Sequence, residues 1–240
     1  MNLDVLIFSA HPDDAELSMG GTIARFTSSG IKTGIIDLTE AELSTRGTIE
    51  SRRVETENAS RILNINFREN LGLPDGEIKP SKEFINLVAS KIRQFKPKIV
   101  FAPYFNDRHP DHIGAAQIVK EAFFLAGLAR YESLENNKLQ EHYRPKKLFY
   151  FFQTYETEPS FIVDISDFYE IKMKAVKAYS TQFYNPGCNE PATFISDEKF
   201  MLYLDARAKY HGFKIGKNYG EPFFCEEKIE YDFNNILMQG

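Results

Sequence analysis

The 240-residue chain is 42% hydrophobic and 26% charged, with a formal charge of −5; this is the balance of a soluble globular domain, and no basic run offers a groove for nucleic acid. Its two cysteines, Cys188 and Cys225, form neither a CxxC pair nor a disulfide framework, which points to a reducing, cytoplasmic setting. No segment approaches the roughly 18 consecutive apolar residues of a membrane span, and the opening MNLDVLIFSAHPDD lacks the basic region of a signal peptide.

The apolar run LDVLIFSA (Leu3–Ala10) reads as a buried strand. A helix is expected over Gly20–Ser29, stopping at Gly30, followed by a strand over Lys32–Thr39. Helices follow over Glu50–Leu63 and over Ser81–Phe95, the second capped by Ser81 and ended before Pro97. KIVFA (Lys98–Ala102) is a strand and Asp111–Ala129 a helix. Leu148–Phe152 and Phe161–Ile165 are late strands, with helices over Asp167–Gln182 and Asp197–Tyr210. The turn formers of Tyr184–Ala192 predict a mobile loop, one that covers the site described below.

Strands alternating with helices predict a single α/β domain, Rossmann-like and doubly wound, with a mostly parallel sheet and helices on both faces. The domain is expected over residues 1–225, with an acidic tail of uncertain order over 226–240. Such sheets bind ligands beyond the carboxyl ends of their strands. Two chemically rich segments lie there: AHPDDAE (Ala10–Glu16) and DRHPDH (Asp107–His112).

Each segment pairs His with Asp around a proline, whose fixed φ stiffens the turn. A catalytic zinc site needs about three N or O ligands and an open position. His11 and Asp14, three residues apart, supply two ligands and His112 a third, leaving Asp13, His109 and Asp111 beside the metal. That set suits amide hydrolysis: a metal acidifies water and polarises the carbonyl, a carboxylate takes the proton, and a cation steadies the oxyanion. The competing readings are plainer. Asp13 or Asp14 can simply cap the following helix. Gly20–Gly21 invites a nucleotide- or sugar-binding module, although GxGxxG and GxxxxGK[ST] are absent. A structural metal site would normally use four protein ligands.

At these residues the chain resembles the PIG-L/LmbE-like family of metal-dependent N-acetylglucosaminyl deacetylases. The likeness extends through DLTEAELSTRGT, RENLGLPDG, KPKIVFAPYFNDRHPDH and KAYSTQF, and points to the subgroup acting on N-acetylglucosaminyl-malate in bacillithiol synthesis. The resemblance implies that His11, Asp14 and His112 hold Zn2+. It implies that Asp13 is general base and then acid, that protonated His109 stabilises the oxyanion, and that Asp111 orients His109. Arg52 is implied as a substrate contact, with an ion pair to Glu55 as the alternative. Arg108 reads as a second substrate contact, with an ion pair to Asp107 as its alternative. The implied substrate is a small N-acetylated sugar, with another N-acetyl sugar as the alternative to the malate conjugate. The implied assembly is a homo-oligomer, up to a hexamer.

Overall fold

The computed structural model describes residues 1–135 and 137–230. In chain order the main elements are β1 (Val5–Ser9), α1 (Asp14–Ser28), β2 (Thr33–Thr39), α2 (Ile49–Ile62), β3 (Phe67–Leu73), α3 (Lys82–Phe95), β4 (Ile99–Pro103) and α4 (Pro110–Ala126). A two-stranded ribbon, β5 (Leu134–Glu135) and β6 (Lys138–Leu139), follows. Then come β7 (Lys147–Phe151), β8 (Phe161–Asp164), α5 (Tyr169–Lys177), α6 (Glu198–Lys214) and β9 (Gly220–Phe224).

Seven strands form one sheet in the order β3-β2-β1-β4-β7-β9-β8. From β3 to β7 every pairing is parallel, whereas β9 runs antiparallel to both β7 and β8. The expected α/β architecture is therefore present, with an antiparallel edge. β1 carries the logic of the layers. Leu6 and Phe8 join the core under α3 and α4, while Val5 and Ile7 join the core under α1, α2 and α5. A strand covered on both faces has no polar side to show, hence its unbroken apolar run.

The order reverses between β1 and β4, the crevice where doubly wound sheets bind ligands. Both His–Asp segments leave the sheet there. α1 starts at Asp14, inside the first segment, and so is longer than the sequence predicts. Its backbone breaks at Met19 (φ −139°, ψ 22°). The Glu221 carboxylate accepts from the freed amides of Gly21 at 3.0 Å and Thr22 at 2.7 Å, and it pairs with buried Lys172. A Cβ on Gly21 would stand 2.7 Å from the Ile165 side chain. Gly20–Gly21 thus serves a close crossing of α1 with the segment leading into α5, and not a phosphate loop.

α2 carries a capping box between Thr48 and Ser51, and Ser81 caps α3 as expected. α5 is shorter than predicted because the chain turns away after Lys177. The loop 184–192 is fastened: Glu190 accepts from the Gly47 amide at 2.9 Å. Of the expected tail, Glu226 accepts from Lys120 at 2.6 Å and Tyr150 at 3.0 Å; residues 231–240 lie outside the described residues. Among the described residues, no helix is long and apolar enough to cross a membrane, and Cys188 and Cys225 are free thiols.

Candidate active site

β1 delivers His11, Asp13 and Asp14 to the sheet's carboxyl edge, and β4 delivers Asp107, His109, Asp111 and His112. Asp14 stands between two imidazoles: its Oδ1 is 3.3 Å from His112 Nε2, and its Oδ2 is 3.7 Å from His11 Nδ1. The opposite nitrogen of each ring is held by another acid. Asp107 meets His112 Nδ1 at 2.9 Å, and Asp75 meets His11 Nε2 at 2.9 Å. A ring that shares its proton with one carboxylate turns a lone pair outward from its other nitrogen, the arrangement that orients histidine on metals. Gln153 Nε2 donates to Asp14 Oδ1 at 2.5 Å, while its buried Oε1 has no partner. His11, Asp75 and Asp111 bring one donor atom each within 4.8 Å of one another, a His/carboxylate set that fits a divalent cation. His109 also brings a nitrogen within 4.8 Å of those of His11 and His112.

The charges agree with that fit. Burial works against charge on His11, but hydrogen bonds to Asp111, Asp14 and Asp75 outweigh it and hold the ring well above its ordinary pKa. His112 is similarly raised to about 9 against burial, by Asp14 and Asp107. Burial opposes ionisation of Asp14, yet His112 and His11 keep it well below the carboxylate range. Asp75 and Asp107 are each lowered to about 2 despite burial, chiefly by their histidine hydrogen bonds. So dense an acidic cluster demands positive charge, which a cation supplies when it displaces ring protons.

Asp13 is the odd carboxylate. It occupies the N-cap position of α1, but its side chain makes no capping hydrogen bond, so the plain capping reading does not hold for it. Its backbone takes φ 120°, a conformation costing on the order of 1–3 kcal/mol for a residue with a Cβ. Burial pushes its carboxyl up to about 7, with Arg52 opposing and Asp14 adding to the rise. A group near neutrality suits proton transfer in both directions.

One expectation needs correction. The Asp111 side chain does not orient His109: its carboxylate accepts from the Gly76 amide at 2.7 Å and Ile78 at 3.2 Å, and lies 3.4 Å from His11 Nε2. His109 Nδ1 accepts from the Asp111 amide at 3.3 Å, at the start of α4. Burial, and then the His11 and His112 rings, lower the His109 pKa from its ordinary value.

Arg52 is buried, and its partner is Asp13 at 3.2 Å; Glu55 instead binds Thr181 and Ser180. Arg108 is exposed and lies 4.5 Å above the Phe194 ring, while Asp107 spends its carboxylate on His112 and the amides of His109 and Thr154. Sequence reasoning assigned no role to Asp75 or Gln153. Asp75 sits in the quoted NLGLPDG segment, the one available signal; Gln153 carries none. Behind the site, Arg68 binds both oxygens of Asp37 (2.8 and 3.1 Å) and Glu16 Oε1 at 2.5 Å.

The family described as PIG-L: GlcNAc-PI de-N-acetylase matches residues 6–123. The diacetylchitobiose deacetylase of Thermococcus kodakarensis is 31% identical over 230 residues, covering 90% of this chain and 80% of that protein. A probable N-acetyl-α-D-glucosaminyl L-malate deacetylase 2 of Bacillus anthracis is 24% identical over 225 residues, covering 83% and 94%. A conserved protein of Thermus thermophilus superposes with a TM-score of 0.87 at 38% identity, over 96% of this chain and 98% of that one.

Proposed function

The chain belongs to the PIG-L/LmbE-like deacetylase family, hydrolases of a linear amide, and we propose that it is a zinc-dependent N-deacetylase of a short N-acetylglucosamine oligosaccharide, with N,N'-diacetylchitobiose as its model substrate. The observation that carries the reading is the Asp13 carboxylate, paired with Arg52 and not spent on capping α1, beside the histidines and Asp14. The malate conjugate expected from sequence takes second place, because identity to the chitobiose enzyme is 31% against 24% to the probable malate-conjugate enzyme.

His11 Nδ1, His112 Nε2 and an Asp14 oxygen would hold the zinc, which polarises the amide carbonyl and acidifies water when bound. Asp13 accepts the proton of the attacking water on a carboxylate oxygen. As charge grows on the carbonyl oxygen, the Nε2–H of His109 donates to it. Asp13 then returns the proton to the leaving nitrogen, so acetate and a free amine depart with the base restored. Asp111 acts one step back, through His11. Arg108, steadied on Phe194, donates to hydroxyls of the sugar next to the one being deacetylated. The catalytic unit is residues 1–225, acting in the cytoplasm. A homo-oligomer, up to a hexamer, would use the outer side of α6, where Leu202, Tyr203, Tyr210 and Phe213 are exposed.

Amine release from N,N'-diacetylchitobiose, N-acetylglucosaminyl-malate and N-acetylglucosamine separates the readings. The disaccharide is expected to give the highest kcat/KM. A clear preference for the malate conjugate would reinstate that substrate, and release from none of the three would remove N-acetylglucosamine compounds as the substrate class.

A further inference from the structure

The Asp14 carboxylate is held on both of its oxygens. Oδ2 accepts from the His11 amide at 2.9 Å. Oδ1 accepts from Gln153 Nε2 at 2.5 Å and also lies 3.3 Å from His112 Nε2. The amide of Gln153 has one permissible direction there, because its oxygen turned toward a carboxylate would repel it. That bond is the one hydrogen bond of the Gln153 side chain among the described residues, and the buried Oε1 has no partner. The main chain at the end of β7 is itself fastened by α6: Arg207 donates to the Phe152 carbonyl at 2.9 Å and to the Gln153 carbonyl at 3.3 Å. The next residue serves the neighbouring histidine. The Thr154 amide donates to Asp107 at 2.9 Å, and Asp107 holds His112 Nδ1. The end of β7 thus supports the site at two points, Asp14 through a side chain and His112 through an amide and Asp107.

We propose that Gln153 is a positioning residue, which fixes the rotation of the Asp14 carboxylate and thereby the strength with which the site holds its metal. The proposal rests on the reading of Asp14 as a metal ligand. A carboxylate held at one oxygen can swing the other. Held at both, it keeps its remaining lone pairs in one direction, and less order has to be gained when a cation binds. Methionine has a side chain of similar length and no N–H, so Gln153→Met removes the donor and keeps most of the packing. A glutamine that merely filled space would show itself in the stability of the metal-free protein, and not in metal affinity.

The test compares Gln153→Met, Gln153→Asn and Asp14→Asn with the wild type. Zinc affinity is measured by competition with a chromophoric chelator, the visible spectrum is recorded with cobalt(II) in place of zinc, and thermal unfolding is followed without metal. Gln153→Met is expected to lose zinc affinity by about 10- to 100-fold, the cost typical of removing an outer hydrogen bond from a metal ligand. Its cobalt(II) bands should shift, because they report the arrangement of the ligands, while the Tm of the metal-free protein should match wild type. With zinc in excess, KM for N,N'-diacetylchitobiose should be unchanged. Should Gln153→Met fail to fold, Gln153→Asn decides the matter by the same readouts, since its shorter chain draws the donor back from Asp14. Wild-type zinc affinity in Gln153→Met would overturn the proposal. If KM rose at that unchanged affinity, Gln153 would be a substrate contact; if the metal-free Tm fell instead, it would be a packing residue. Asp14→Asn that binds zinc as tightly as wild type would overturn the reading of Asp14 as a ligand, and the positioning role with it.

Discussion

Replacing Asp13 by Asn is expected to lower kcat by about 10²- to 10⁴-fold, the range of general acid–base contributions, while KM, zinc content and fold stay close to wild type. Asn is the informative substitution because it keeps the shape of the side chain and an oxygen able to accept from Arg52. It also tolerates positive φ better than most residues, which matters at φ 120°. It removes only the capacity to take and return a proton. The expected metal ligands, His11, Asp14 and His112, are untouched by the change. Kinetics of amine release together with elemental analysis of the purified variant check this. Turnover within a few-fold of wild type would remove Asp13 as base, and loss of zinc would make it a ligand instead.

Replacing Arg68 by Met is expected to destabilise the fold by about 3–5 kcal/mol, the cost of breaking a buried ion network from one side. In a chain of this size that is on the order of 10 °C in Tm. Arg68, itself partly buried, is the shared counter-charge of buried Asp37 and Glu16, between β2, β3 and α1. Burial already raises the Asp37 pKa above its ordinary value, with Arg68 opposing the rise. Without Arg68 it rises further. The folded state then holds a proton that the unfolded chain, with its Asp near 3.8, has released. Stability of the variant therefore falls as pH rises between the two values, and the deficit against wild type is larger at pH 8 than at pH 5. Thermal unfolding at both pH values measures this. An unchanged Tm would show that the acids find compensation elsewhere, and a deficit larger at pH 5 would contradict the assigned sign.

Much of the frame is legible in the chain because buried parallel strands have no alternation to hide. LDVLIFSA, KTGIIDLT and KIVFA announce β1, β2 and β4, and caps such as Ser81 mark helix starts. That frame sets the two His–Asp segments at neighbouring strand ends. β3 escapes notice because FRENLGL is a polar edge strand, and nothing in the sequence marks its Arg68 as the partner of Asp37. β9 escapes because GEPFF is short, contains a proline and pairs antiparallel in a region of expected parallel units. The partners of the site residues are harder still. Asp75 lies 64 positions from His11, and Gln153 lies 139 from Asp14. A lone polar residue in a loop has no period to reveal it. The facing direction of Asp111, the hydrogen bond at His109 Nδ1 and the burial of Arg52 are tertiary facts, set by which backbone amides and carboxylates come near. Motif spacing is silent on all three.

The most direct test of a zinc-dependent deacetylase is acetate release from N,N'-diacetylchitobiose by the protein as purified, after complete removal of metal, and after stoichiometric zinc is restored. The account predicts loss of activity with the metal and its return with zinc, the fold remaining intact throughout. Protein verified as metal-free and folded that still hydrolyses the amide at its original rate would contradict it.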